Sequence, residues 1–91
     1  MRYLDIYKQP KKFLNDAVKT NKDLVIKILS SIENLRENPL PSSAKKLVGH
    51  KDLYRIRIGK YRIVYSFDKL ELRIVLIKNR DDVYLQLDKF R

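Results

Sequence analysis

Apolar residues recur at two different spacings along the chain, and the change of spacing divides it into a helical half and a strand half. Residues 3–7 alternate like a short strand, whereas the next thirty residues place apolar side chains three to four positions apart. Residues 38–43 (Asn-Pro-Leu-Pro-Ser-Ser) cannot continue a helix, because proline lacks the backbone N–H. After Gly49 the apolar spacing changes to two, which is typical of strands.

Two helices are predicted in the first half. Pro10 suits the first turn of one helix, where its missing N–H costs nothing. Thr20 or Asn21 can cap the second helix, and Asp23 is favourable in its first turn. The apolar faces carry Phe13, Leu14, Ala17 and Val18 in the first helix and Leu24, Val25, Ile28, Leu29, Ile32 and Leu35 in the second.

Three segments of the second half alternate as antiparallel strands: residues 53–58, 61–67 and 70–77. Gly59-Lys60, with glycine first, predicts a two-residue type II′ hairpin. We expect one α+β domain over residues 1–91, in which two helices pack on one face of a small, mainly antiparallel sheet. The predicted order is β-α-α-β-β-β plus a short C-terminal segment, and residues 81–91 fit either a strand or a helix.

The predicted hairpin fixes which side chains share a face of the sheet. Ile58 opposes Tyr61, so Arg57 lies directly opposite Arg62, while Arg55 opposes Val64. Arg73 falls on the same side with either possible second turn. The opposite, core-facing side is expected to bury Tyr54, Ile56, Ile58, Ile63 and Tyr65.

Like charges directly across a strand pair destabilise a sheet. We therefore expect Arg55, Arg57 and Arg62 to form one solvent-facing concave patch that binds an anion, with Arg73 as a further phosphate-binding candidate. Arginine suits this purpose because its planar fork grips phosphate oxygens in a bidentate way. The alternative is a solvated basic strand face without a ligand.

The net charge supports an anionic partner. The 91 residues include 21 Lys and Arg against 11 Asp and Glu, which gives +10 and favours RNA, DNA, an acidic protein or an anionic membrane surface. There is no cysteine, and His50 is the single histidine, so thiolate chemistry and paired imidazoles are excluded. With no signal-like run and no span of about 20 apolar residues, we expect a soluble, cytoplasmic protein that does not bind membranes.

Residues 46–67 (KLVGHKDLYRIRIGKYRIVYSF), followed by residues 75–84 (VLIKNRDDVY), resemble the RelE branch of the RelE/ParE toxins. The resemblance covers nearly the whole chain. It implies the toxin of a type II toxin–antitoxin pair, namely a ribosome-dependent endoribonuclease that cuts mRNA in the ribosomal A site. It also implies a hetero-oligomer with an antitoxin, which we expect to lay an acidic helical segment across the toxin.

The resemblance also assigns residues. Arg55 and Arg57 fall where the family places two basic residues, and Arg62 matches the arginine after the hairpin tyrosine. Arg80 and Tyr84 match the family's C-terminal arginine and tyrosine. The sequence departs from the family at two positions, Lys60 and Asn79, which affects fine specificity more than the reaction.

The implied reaction needs neither metal nor cofactor, because the RNA 2′-OH is the nucleophile. Tyr84 is the candidate base, since nearby cations favour its phenolate. Arg62 and Arg80 are the other candidate catalytic residues, and Arg80 is restricted to stabilising the leaving oxygen. Two other classes stay open: a ParE-like toxin that binds DNA gyrase without cleaving RNA, and a basic nucleic-acid-binding module without catalysis.

Overall fold

The computed structural model describes residues 1–79 and shows two helices packed on one face of a five-stranded sheet. The elements are β1 (Tyr3–Ile6), α1 (Lys8–Ala17), α2 (Lys22–Glu37), β2 (Lys45–Lys46), β3 (Tyr54–Ile58), β4 (Tyr61–Phe67) and β5 (Glu71–Asn79). Across the sheet the order is β1-β5-β4-β3-β2, with β1 parallel to β5 and the other neighbours antiparallel. The predicted α+β architecture is confirmed. The two-residue strand β2 was not predicted, and the prediction for residues 81–91 lies outside the described residues.

Both helices begin as the sequence predicts. Pro10 lies in the first turn of α1, and the side-chain oxygen of Asn21 accepts a hydrogen bond from the Leu24 N–H at 3.2 Å. Asn21, rather than Thr20, is therefore the cap of α2, and Asp23 lies in its first turn. Neither helix within residues 1–79 has the length and apolarity needed to cross a membrane.

The hairpin between β3 and β4 has the predicted register. Gly59 has a φ of 58°, and Lys60 is not among the residues with positive φ, as a type II′ turn requires. Ile58 pairs with Tyr61 and Arg57 pairs with Arg62. On the helix side, Ile56, Ile63 and Tyr65 are buried, while Tyr54 and Ile58 are half-buried against the same core.

A bulge interrupts the pairing of β4 with β5. Tyr65 pairs with Ile74 and Val64 pairs with Leu76, so Val75 is an extra residue on β5. Beyond the bulge the alternation of β5 is reversed. Leu76 therefore joins the apolar cluster on the face away from the helices, whereas Ile77 joins the main core.

The face away from the helices has its own small hydrophobic cluster, which the sequence analysis did not predict. Leu47, Val64, Val75 and Leu76 are buried there, and Leu53 packs against them. The N–H of Leu47 donates to the Leu53 carbonyl at 2.9 Å, which holds the two ends of the connecting loop together. This face is therefore only partly open.

The amide side chain of Gln9 takes the place of a strand beside the end of β5. The last backbone bond from the β1 side runs from the Tyr7 N–H to the Ile74 carbonyl. Farther along, the Gln9 amide donates to the Ile77 carbonyl at 2.8 Å and accepts from the Ile77 N–H at 2.9 Å. Both backbone groups of Ile77 are thus satisfied, which fixes the end of β5 next to Lys78.

Candidate phosphate-binding site

Three cationic side chains stand side by side on the face away from the helices. Arg57 on β3 pairs directly with Arg62 on β4, and Arg62 pairs directly with Lys78 on β5. Directly opposed residues of an antiparallel pair point to the same side of the sheet. Neighbouring strands are about 4.8 Å apart, so this row of cations is about 10 Å long. We call Arg57, Arg62 and Lys78 the cationic row.

A second pair of cations borders the row toward the sheet edge. Lys45 on β2 pairs directly with Arg55 on β3, and Arg55 lies two positions from Arg57 on the same face. Arg55 is half-buried and Lys45 is exposed. No acidic residue occurs within the strands Lys45–Lys46, Tyr54–Ile58 and Tyr61–Phe67. These three strands therefore contribute positive charge and no negative charge to this region.

The expectation that all three arginines face solvent is wrong for Arg62. Arg57 is exposed, but Arg62 is only 7% exposed. The reason is its position on β4, the central strand of the five, between long side chains on both neighbouring strands. Arginine tolerates this because its aliphatic stem packs while its planar head directs N–H groups at acceptors.

A shallow pocket opens between the cationic row and the turn that joins β3 to β4. It has a volume of about 180 Å³ and is lined by Arg57, Gly59, Lys60 and Arg62. The ammonium of Lys60 lies 5.6 Å from the centre of the Tyr61 ring, within the range of a cation–π contact. Within residues 1–79, the lining offers a ligand backbone groups and cationic side chains.

Arg73 lies on the predicted face but in a different environment. It pairs with Ser66, four positions from Arg62 along β4, which is about 13 Å. Its guanidinium donates to Ser66 Oγ at 2.9 Å, to Glu71 at 2.8 Å and to Asp68 at 3.2 Å. The structure does not bring Arg73 together with the cationic row, and its phosphate-binding role stays a prediction.

The carboxylate of Asp68 is held in its charged form. Its side chain accepts the N–H groups of Leu70 and Glu71 at 2.8 and 2.9 Å. These two backbone bonds, and then the contact with Arg73, lower the pKa of Asp68 below its ordinary value. This end of the sheet face is therefore a self-contained network of opposite charges.

Sequence reasoning missed Lys45 and Lys78. Strict alternation from Arg73 would place Lys78 on the helix side, and only the bulge at Val75 brings it beside Arg62. Arg80 and Tyr84 lie outside the described residues, so their catalytic roles stay predictions.

The energetics of the cationic row favour a binding role. A like-charge pair directly across two strands costs a few tenths of a kcal/mol or more, and the row contains two such pairs. The fold gains nothing from this repulsion. An arrangement of this kind fits an anion with several acceptor oxygens, such as a phosphodiester.

Comparison with known proteins finds relatives over most of the chain. A family model described as the ParE toxin of the type II toxin–antitoxin system, parDE, matches residues 5–84. The protein named "Putative toxin RelE1" of Methanocaldococcus jannaschii is 34% identical over 86 residues, which is 89% of this chain and 92% of that protein.

Solved structures share the fold at lower identity. The YoeB dimer from Staphylococcus aureus aligns with a TM-score of 0.78 at 20% identity, covering 87% of this chain and 97% of that one. The RelB–RelE antitoxin–toxin complex from Methanococcus jannaschii gives a TM-score of 0.64 at 23% identity, covering 88% and 94%. The DinJ–YafQ complex of E. coli gives 0.68 at 19% identity, covering 92% and 99%.

The fold and these matches together define a toxin of a type II toxin–antitoxin system. The chain belongs to the RelE/ParE superfamily of such toxins, and the resemblance found in the sequence is confirmed.

Proposed function

We propose that this toxin is a ribosome-dependent, metal-independent endoribonuclease that cleaves mRNA in the ribosomal A site. The observation that carries the proposal is the direct opposition of Arg57 and Arg62 next to a shallow pocket. A fold that accepts this repulsion fits a phosphodiester better than an unliganded surface. The proposed substrate places the protein in the cytoplasm.

In the proposed reaction the RNA 2′-oxygen attacks the adjacent phosphorus in line. The bond from phosphorus to the 5′-oxygen breaks, so the products are a 2′,3′-cyclic phosphate and a 5′-hydroxyl. Arg57 and Arg62 stabilise the negative charge that grows on the non-bridging oxygens, and Arg55 contributes charge from the same face. Removing one such donor typically costs about 3–4 kcal/mol of transition-state stabilisation.

Proton transfer is assigned to the C-terminal residues by the family resemblance. Tyr84, as the phenolate, takes the proton of the 2′-OH, and Arg80 stabilises the departing 5′-oxygen, which takes its own proton from solvent water. Arginine is too weak an acid to donate its proton outright, so it acts through hydrogen bonding and charge.

Weak acid–base groups account for the proposed dependence on the ribosome. Holding the mRNA bent, with its 2′-oxygen in line with the scissile bond, supplies part of the rate enhancement that these side chains cannot. A free RNA chain, which samples many conformations, would be cut far more slowly.

We further propose an acidic antitoxin as the partner in a hetero-oligomer. A chain with a net charge of +10 favours a partner of opposite charge, and solved neighbours include toxins bound to antitoxins. The charge implies a fast, salt-dependent encounter, whereas slow dissociation depends on apolar anchors in the interface.

A second function deserves a test because the matching family model describes the ParE toxin. A ParE-like toxin would bind DNA gyrase and leave mRNA intact. In that case the cationic row would contact an acidic protein surface instead of RNA.

Sequencing of mRNA 5′ ends after brief expression of the toxin separates the two functions. We expect new ends at a fixed position within codons of translated genes, and the same cuts in vitro only when ribosomes are present. Induction of a DNA-damage response with intact mRNA would overturn the nuclease proposal in favour of the ParE-like one. Salt-sensitive binding to naked RNA with neither effect would leave a binding module.

A further inference from the structure

Lys78 completes the cationic row from the strand on the far side of Arg62. It pairs directly with Arg62 across β4 and β5, and it is half-buried. No acidic residue occurs in residues 75–79 of β5 or in the facing strand β4. Lys78 therefore adds a third positive charge to a place where two already repel each other.

The bulge in β5 is what puts Lys78 there. Arg73 lies on the same face as Arg62, and an unbroken alternation from Arg73 would turn Lys78 toward the helices. The extra residue Val75 reverses the alternation, so Ile77 enters the core and Lys78 joins the opposite face. Bulges commonly serve to re-aim a side chain beside a functional site.

The backbone near the end of β5 is also hydrogen-bonded to a side chain of α1 at this point. Both backbone groups of Ile77 are bonded to the Gln9 amide at 2.8 and 2.9 Å. The residue before Lys78 is thus tied to α1 at the sheet edge. A cation on a fixed backbone is suited to a repeated contact at one place, more than to a diffuse attraction.

The length of the row sets what it can contact. The outer backbone positions of the row, Arg57 and Lys78, are about 10 Å apart, which leaves room for two neighbouring phosphates of an RNA chain side by side. We propose that Lys78 binds a second phosphate, next to the one held by Arg57 and Arg62, and that the RNA backbone crosses the sheet at right angles to the strands, from β3 to β5. This proposal rests on the proposed function, since it assumes that the ligand is RNA.

The types of the three residues agree with one phosphate at Arg57 and Arg62 and a second phosphate at Lys78. Two arginine forks side by side match the oxygens of a phosphate whose geometry must be controlled. A lysine ammonium is a compact point charge on a flexible stem, which suits a flanking phosphate that needs only to be held.

The test uses Lys78→Met, which removes the charge but keeps an unbranched stem, with Lys69→Met as the matched control. Lys69 is an exposed residue of the β4–β5 turn, at the opposite end of β5 and roughly 25 Å away along the strand. Two uncleavable probes are titrated into the full chain: a 2′-O-methyl nucleoside 3′-phosphate with one phosphate, and a 2′-O-methyl dinucleotide 3′-phosphate with two.

We expect Lys78→Met to weaken the two-phosphate probe roughly tenfold at about 50 mM salt and to leave the one-phosphate probe within about twofold. On a longer 2′-O-methyl oligonucleotide, the slope of log affinity against log salt should become shallower by about 0.7. Lys69→Met should change neither the affinity for the two probes nor the salt slope. Lys78→Arg should retain most of the wild-type affinity.

Equal losses for Lys78→Met and Lys69→Met, or an equal loss on both probes, would overturn the proposal, because either result means a general charge effect. Failure of the wild-type chain to bind the two-phosphate probe more tightly than the one-phosphate probe would overturn it as well. Thermal unfolding checks that the variants are folded. Since no ribosome and no cleavage enter the assay, a negative result here is distinct from failure of the nuclease proposal.

Discussion

The two ends of the sheet face opposite the helices use the same residue type in opposite ways. At one end Arg73 donates to Ser66, Asp68 and Glu71, and it lies across from Asp5 on β1. At the other end Arg62 lies between Arg57 and Lys78, so its cross-strand neighbours are both cations. The two regions are about 13 Å apart on one strand.

The difference between the two ends lies in the charges that the neighbouring turns contribute. The turn that follows β4 supplies Asp68 and the start of β5 supplies Glu71, and the two carboxylates hold Arg73 in a network that stabilises the hairpin. The turn that precedes β4 is Gly59-Lys60 and adds a further positive charge. We infer that the first region serves the fold and the second serves a ligand.

The largest expected effect is the loss of cleavage in Arg62→Met. We expect a fall of about a hundredfold or more in ribosome-dependent cleavage of a defined mRNA, because one charge-stabilising donor is removed. In Arg73→Met we expect a loss of only a few-fold, because its ion pairs already engage the Arg73 guanidinium, so the predicted phosphate-binding role of Arg73 is the minor one. Equal losses in the two variants would remove the functional distinction between the two regions.

The next largest expected effect is a loss of folding stability, and it falls on Arg73 instead of Arg62. Arg73→Met should lower the free energy of unfolding by about 1 kcal/mol, since it breaks two partly exposed ion pairs and the bond to Ser66. Urea unfolding followed by circular dichroism measures this. An unchanged urea midpoint would mean that the network contributes nothing to the fold.

The smallest expected effect is a pH dependence from Asp68. Its pKa is lowered in the folded state, so its stabilising contribution is present above the ordinary value of 3.8 and disappears as the pH falls through the lowered value. Between about pH 6 and pH 2 the melting temperature of Asp68→Asn should therefore fall less than that of the wild type. Parallel curves for the two proteins would refute this assignment.

Much of this comparison could be predicted from the sequence. The two residues Gly59-Lys60 determine the turn, the turn determines the register, and the register places Arg57 opposite Arg62. The same alternation correctly assigns Ile56, Ile63 and Tyr65 to the core. Local rules suffice here because a two-residue hairpin leaves one pairing that buries the apolar face.

The rest depends on features that no local pattern shows. Residues 74–77 are all apolar, so alternation cannot reveal the extra residue at Val75 or the placement of Lys78 that follows from it. The burial of Arg62 depends on the position of β4 in the middle of the sheet. The second hydrophobic cluster needs Leu47 and Leu53, whose loop folds onto the far face through tertiary contacts.

If the cationic row serves a ligand at the expense of the fold, removing the charge of Arg62 should stabilise the protein, and the variant Arg62→Met measures this. Methionine keeps a stem in the buried position, where alanine would also lose packing. In urea unfolding at about 50 mM salt we expect the variant to be more stable than the wild type by a few tenths of a kcal/mol. The gain should shrink at about 500 mM salt, where charges are screened. A variant that is less stable than the wild type at both salt concentrations would show instead that Arg62 stabilises the fold.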